Sequence, residues 1–335
     1  MPLFINYPSF IHPEVFPGVP FLGLIRWYGL MYIFAFAFAY LILKKVTKEG
    51  MLQDKGPSAK KITDDDVVNF LFTGIVFLLI GARLGSALIY DTTGIYREKP
   101  YLIFWPFNED GKFTGLAGMS YHGGFIGGFI GMIVWCCIKK ERIFKWVDAM
   151  VVAIPCGYTF GRLGNFLNGE LYGRITQKPW GIVFPDAEKF STKLQWVQDF
   201  CSQIGMNIEG QNFVNLPRHP SQLYEAFFEG VVLFLVLFFL RKHKKWDGML
   251  SSIYMGGYGL VRFFIEYFRQ PDAELGFRNS SDSQIYLNNS LLNFSTGQIL
   301  CLIMIFGSIA LALGTYFYYK NKDSKQKQEN YASKK

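Results

Sequence analysis

The stretch NFLFTGIVFLLIGARLGSALIY, Asn69–Tyr90, decides the fold: 22 residues run with a single charge, Arg83, and no polar face. About 20 consecutive apolar residues are needed to cross a hydrocarbon core as an α-helix, and backbone in lipid must satisfy its own hydrogen bonds. Comparable stretches recur at Leu22–Leu43, Ser120–Ile138, Trp146–Phe166, Leu223–Leu240, Met249–Phe268 and Gly297–Tyr319, separated by charged or polar segments. With 335 residues, half of them hydrophobic and 18% charged, the chain reads as an all-α polytopic membrane protein of about seven transmembrane helices.

The basic residues give the expected orientation. The stretches after the first, third, fifth and seventh spans hold 20 of the 34 Lys and Arg residues, and the opposite side holds 10. Positive-inside logic then places the N-terminus outside and the C-terminus in the cytoplasm. The net charge of +8 is therefore a topology signal with an attraction to anionic membrane lipid, and it gives no reason to expect nucleic-acid binding. The first span lacks a basic region before it and a small-residue cleavage site after it, so it reads as a retained helix. Residues 1–319 are expected to form one integral-membrane domain, with a small extramembrane head at about Asn168–Ser221. The polar run Lys320–Lys335 is expected to be a solvated cytoplasmic tail. The loop from Gln270 to Ser295 carries no functional signal. Cys136, Cys137, Cys156, Cys201 and Cys301 show no metal-ligand spacing and read as small hydrophobes, so no metal is expected at them.

Four basic residues remain inside the spans or at their edges, and all are arginine: Arg26, Arg83, Arg162 and Arg262. A cation near the bilayer centre costs at least about 2.5–3.5 kcal/mol, so such residues usually face a polar interior and serve a function. Arg26 opens its helix and fits an interfacial role. Arg262 has Glu266 one turn on as a structural partner. Arg83 and Arg162 have no carboxylate within one turn of their own helix. A guanidinium fork binds phosphate in two places and stays charged in a low dielectric, which points to a lipid phosphate, with structural pairing as the alternative.

The run GRLGNFLNGELYG, Gly161–Gly173, concentrates an arginine, two asparagines and a glutamate among glycines at the end of the fourth span. Arg162 and Asn165 share a helical face, and the glycines allow the chain to turn Glu170 back toward them. Other polar blocks occur at IRWYGLMY (Ile25–Tyr32), GARLG (Gly81–Gly85), MSYHGG (Met119–Gly124) and RHPSQLYE (Arg218–Glu225). YGLVRFFIEYFRQPD (Tyr258–Asp272) and GQIL (Gly297–Leu300) complete the set. These blocks, in this order and over nearly the whole chain, resemble those of the prolipoprotein diacylglyceryl transferases. Departures from the family pattern fall in the loop after Gln270 and in the tail.

The resemblance implies a cofactor-free enzyme of the bacterial inner membrane. Its substrates would be phosphatidylglycerol and prolipoprotein signal peptides carrying a lipobox cysteine. The thiol would take the diacylglyceryl group as a thioether, releasing glycerol phosphate, in the first step of lipoprotein maturation. It implies catalytic roles for His122, Arg162 and Arg262, with His122 as candidate base toward the thiol and the arginines holding the phosphate. The bland alternative for His122 is a hydrogen bond between helices. Tyr28, Arg83, Asn165, Glu170, Gly173, Tyr258, Glu266 and Arg269 are the candidate substrate-binding set. Tyr258, Arg262, Glu266 and Arg269 form a stripe along the sixth span that also fits an interhelical salt-bridge seam. Gly123, Gly127 and Gly131, with Gly124 and Gly128, have the spacing of close helix packing. His219 is expected to be structural. A transporter or flippase, or a non-catalytic lipid-binding subunit, would use buried arginines too, but no inverted repeat favours the former.

Overall fold

The structure is a computed structural model that describes residues 4–19, 22–54, 60–92, 94–107, 118–270 and 291–332. Most of the loop expected between Gln270 and Ser295 lies outside the described residues. Ten α-helices are described: α1 (Trp27–Lys48), α2 (Asp64–Ile89), α3 (Ile95–Glu98), α4 (Tyr121–Lys139), α5 (Ile143–Leu167), α6 (Gln195–Gln203), α7 (Ser221–Glu225), α8 (Leu233–Leu240), α9 (Met249–Ile265) and α10 (Thr296–Ala332). The only described sheets are two-stranded: β1 (Ile5–Asn6) runs parallel to β2 (Ile182–Val183), and β3 (Lys189–Ser191) antiparallel to β4 (Phe213–Asn215). Six helical stretches among the described residues are long and apolar enough to cross a membrane, so this is a multi-pass membrane protein.

Several features differ from the sequence expectation. The first helix starts at Trp27 and not near Leu22, because Leu22–Leu24 form a 3-10 turn and Arg26 bridges back to Glu14. The fifth span is not one α-helix: Ala226–Val232, between α7 and α8, is π-helical, a feature hydropathy does not register. The last helix continues through the polar tail to Ala332. Helix α9 holds 17 residues, short beside the other spans, and ends where Arg262 and Glu266 cluster.

Backbone contacts divide the described chain into two compact units, residues 40–150 and residues 1–39 with 151–335. Within the first unit, α2 and α4 cross at glycines. A Cβ on Gly127 would lie 2.2 Å from the Phe77 carbonyl oxygen and 2.9 Å from the Gly81 Cα, and one on Gly81 would lie 2.4 Å from the Gly123 oxygen. The small-residue spacing of α4 is thus a backbone-to-backbone contact. Ser120 caps α4 by accepting from the Gly123 N–H at 3.1 Å. At the other end of α2, Thr63 and Asp66 form a reciprocal capping box. Phe70, Trp135 and Trp146 pack ring against ring, with centroids 4.4 to 5.3 Å apart.

Within the second unit, the segment between α5 and α7 builds its own small cores. Ile175, Phe190, Val197, Phe200, Ile204, Val214 and Leu216 form one, and Ile182, Phe184 and Ala187 the other. The N-terminal segment belongs to this head: β1 adds a strand to β2, and the Tyr7 hydroxyl donates to the Phe166 carbonyl at 2.8 Å.

Candidate functional site

The site grows from the signature on α5. Arg162 lies one turn after Tyr158, and its Nε donates to the Tyr158 hydroxyl at 2.9 Å. Its Nη1 donates to Asn165 Oδ1 at 3.4 Å, and Asn165 Nδ2 donates to Glu170 Oε1 at 2.9 Å. The chain does turn back after Leu167 as the glycines suggested, with Gly169 at φ 67 and Leu171 at φ 54. Gln222 and Ser221 hold the turn, donating to the Glu170 and Leu171 carbonyls at 2.6 and 3.2 Å. Glu170 therefore reaches Asn165 and orients Arg162 only through it.

Two carboxylates from the fifth span complete what the sequence left unpaired. Glu225 Oε2 lies 2.8 Å from Arg162 Nε, 3.0 Å from Arg262 Nη1 and 3.7 Å from Arg269 Nη1. Glu229 Oε1 lies 3.7 Å from Arg262 Nη1, and its Oε2 accepts from the Tyr158 hydroxyl. The π-helical stretch brings these groups against α5 at Gly230, where a Cβ would lie 2.1 Å from Thr159 Oγ1. Arg162 has no carboxylate within one turn of its own helix, and its partner comes from a distant part of the chain. The signal was present in LYEAFFEG: two acids four residues apart inside an apolar span are as costly as an arginine there.

Helix α9 supplies the other half. Arg262 Nη2 lies 3.1 Å from Glu266 Oε2, and Glu266 Oε1 accepts from the Ser295 hydroxyl at 3.2 Å. Ser295 and Gln298 cap the start of α10 reciprocally, at 3.0 and 3.2 Å. Gly297 has a steric reason to be glycine, since a Cβ there would lie 2.7 Å from Glu266 Oε1. The end of α9 is fixed by Arg174, whose Nε donates to the Arg269 carbonyl at 2.5 Å, and Gly173 bridges to Arg269 through the backbone. Burial pulls the Arg174 guanidinium down to about 10, with Glu266 opposing, so it stays charged at neutral pH.

Charge and exposure are layered here. Arg162, Arg262 and Arg269 face Glu225, Glu229 and Glu266, three cations to three anions. The Glu225 and Glu229 side chains are 0% exposed, whereas those of Arg162, Arg262 and Arg269 keep 16, 15 and 19%. The carboxylates lie behind and the guanidinium edges in front. That arrangement offers donors to an anion while its charge is balanced internally, which lowers the cost of holding three cations in an apolar span.

The structure thus brings together Arg162, Asn165, Glu170, Arg262, Glu266 and Arg269. Tyr258 packs edge-on against Tyr158 at 5.9 Å. Tyr28 hydrogen-bonds Tyr32 at 3.2 Å and keeps an exposed edge, and a Cβ on Gly164 of the signature would lie 3.4 Å from its ring. His219 hydrogen-bonds Tyr224 at 3.2 Å. Burial pushes its imidazole down to about 4, helped by Lys178 and Arg174, as suits a neutral structural histidine. Arg83 and His122 belong to the unit of residues 40–150. Arg83 is buried, with donors on the Ile103, Gly118 and Leu102 carbonyls and the Tyr96 hydroxyl, so it ties loops to α2. His122 stands exposed in the first turn of α4, 3.2 Å from the Tyr90 hydroxyl through Nδ1. No group of His, Cys, Asp and Glu suited to a metal occurs among the described residues, and the five cysteines are free.

The family model for prolipoprotein diacylglyceryl transferase matches residues 19–314. Among curated relatives, a phosphatidylglycerol–prolipoprotein diacylglyceryl transferase of Treponema denticola is 49% identical, over 98% of this chain and 99% of its own. The one of Treponema pallidum is 46% identical over 97% and 99%, and that of Chlorobaculum tepidum 40% over 97% and 94%. With the matched region covering the signature, the acidic span and α9 alike, the chain belongs to the prolipoprotein diacylglyceryl transferase family of membrane transferases.

Proposed function

We propose that this protein transfers the diacylglyceryl group of phosphatidylglycerol to the lipobox cysteine of prolipoproteins in the bacterial inner membrane. Arg162, Arg262 and Arg269 receive the lipid phosphate, Asn165 and Tyr28 offer neutral hydrogen bonds, and Glu170 accepts from the headgroup glycerol hydroxyls. Tyr258 and Gly173 shape the site by packing. The observation that carries this reading is the set of three guanidinium edges exposed in front of one fully buried carboxylate, Glu225.

The thiol loses its proton, sulfur bonds to the terminal glyceryl carbon, and the carbon–oxygen bond to phosphate breaks with its electron pair leaving on oxygen. Phosphate charge grows as that bond breaks, so donors aimed at it act mainly on the transition state. A free thiol near pKa 8.5 is mostly protonated at neutral pH, and His122 is the group to which we assign its proton. Arg83 contributes by holding the loops at the end of α2.

Seven spans, the six longer helices and α9, put the N-terminus and the head outside and the tail in the cytoplasm, as the Lys and Arg distribution supports. The test is transfer by the purified protein in detergent, with phosphatidylglycerol and a lipobox peptide, mass-analysed for the thioether adduct. Wild type should form the adduct and folded Arg162→Ala should not. A wild-type preparation that binds the lipid and leaves it chemically unchanged would overturn the assignment.

A further inference from the structure

Tyr158 occupies a position that the family reading does not use. It precedes Arg162 by one helical turn on α5, and its ring lies under the guanidinium, with Arg162 Cζ 4.9 Å from the centroid. Its hydroxyl accepts from Arg162 Nε at 2.9 Å and faces Glu225 Oε2 at 3.2 Å as well as Glu229 Oε2. Tyr258 supports the ring edge-on from α9. Four elements of the site, Arg162, Glu225, Glu229 and Tyr258, thus meet on one half-buried phenol.

Building on the phosphate-holding role proposed above, we infer that Tyr158 is a positioning residue for Arg162. A guanidinium has one Nε–H and two Nη groups in a fixed plane, so what holds Nε decides where the Nη edge points. Tyr158 does this twice, with its ring face against the guanidinium and with its oxygen on Nε, which it shares with Glu225 Oε2 at 2.8 Å. Nη1 is then directed to Asn165, and Nη2 makes no hydrogen bond among the described residues. The phenol hydroxyl has one hydrogen for two carboxylates, so it also links the π-helical stretch to Arg162 and keeps Glu229 from approaching the guanidinium directly. Glu229 has no other contact with a cation nearer than 3.7 Å among the described residues.

Interhelical packing alone would also account for a buried tyrosine, and the two roles separate in kinetics. Tyr158→Phe keeps the ring and loses the oxygen. Thr159→Ala removes the adjacent hydroxyl, which contacts the same helix at the Ala226 carbonyl, 3.4 Å away, but does not touch Arg162. In the transfer assay with phosphatidylglycerol and a lipobox peptide, misplacing a guanidinium that acts in the transition state should cost Tyr158→Phe about 10- to 100-fold in kcat. KM for the lipid should stay within about threefold, and Thr159→Ala should stay near wild type. If Tyr158→Phe fails to fold, Tyr158→Phe/Glu229→Gln, which relieves the carboxylate left without its donor, takes its place with the same expectation. A kcat within about fivefold of wild type, or an equal loss in Thr159→Ala, would overturn the positioning role. No adduct from wild type would instead remove the transferase reading on which it rests.

Discussion

The crossing of α2 and α4 makes a prediction whose size follows from neighbouring positions on one helix. Alanine at Gly127 would put its Cβ 2.2 Å from the Phe77 carbonyl oxygen and 2.9 Å from the Gly81 Cα, both backbone atoms. Alanine at Gly128, one residue on, would meet the Leu78 Cβ at 3.5 Å and the Gly74 oxygen at 3.7 Å, ordinary contact distances. Relief at Gly127 therefore requires the helices to part by about 1 Å, which forfeits a quarter to a half of the dispersion contact along the shared surface. Overpacking of this kind costs about 1–3 kcal/mol. Glycine to alanine gains up to about 1 kcal/mol of helix propensity at either position, so that gain cancels in the comparison. Gly127→Ala should be less stable than Gly128→Ala by about 1–3 kcal/mol, a melting difference on the order of 2–12 °C. Thermal unfolding of both variants side by side in the same detergent measures it. Equal stability would refute the claim that the two backbones touch here.

Other expectations concern the site and the head. Glu225→Ala leaves three guanidiniums without their shared carboxylate, and breaking such buried pairs costs about 3–5 kcal/mol, so both melting temperature and transfer should fall together. Gly173→Ala would place a Cβ 2.2 Å from the Phe268 oxygen and 2.9 Å from His219, prying apart the bridge that carries Arg269. Its transfer activity should drop at least tenfold in the mass-spectrometric assay while Gly161→Ala, which meets nothing within 4 Å, folds normally. For His219 the native imidazole, near 4, lies below its ordinary 6.5, so the unfolded chain binds more protons between those values. Its contribution is complete above pH 6.5 and is lost as pH falls toward 4, by about 2 kcal/mol after allowing for partial exposure. Stability of His219→Gln should vary less than that of wild type across this window, and a parallel pH profile would exclude the histidine as the source.

Much of this was legible in the sequence because the membrane imposes a strong code. The described apolar helices overlap the stretches where hydropathy places them, with departures at the start of α1, where a 3-10 turn and the Glu14–Arg26 backbone bridge delay the helix, at the π-helical stretch, and at the end of α10. The signature could be read as a site since arginine and asparagine among glycines at a span end have no cheap structural excuse. What escaped was the partner set. Glu225 and Glu229 belong to a strongly apolar span, and attention to buried cations passes over them, though the same energetic rule covers anions. Tyr158 gives no signal at all, because a phenol in an apolar helix is ordinary until its neighbours are known. The pairing of Arg162 with Glu225 joins parts of the chain far apart in sequence, and no local periodicity encodes such a contact.

The π-helical turn at Ala226–Val232 has the character of an insertion kept in place. Against an uninterrupted α-helix it accommodates one additional residue, and one residue corresponds to about 100° of rotation about the axis. Removing a single residue within it would let the span close into a regular helix while Leu233 and Leu237, both buried, kept their phase to Glu225. What such a deletion would change is the wide turn itself, from which Glu229 and Gly230 meet α5, whereas an exchange among Phe227, Phe228 and Val231, all exposed, leaves that turn untouched.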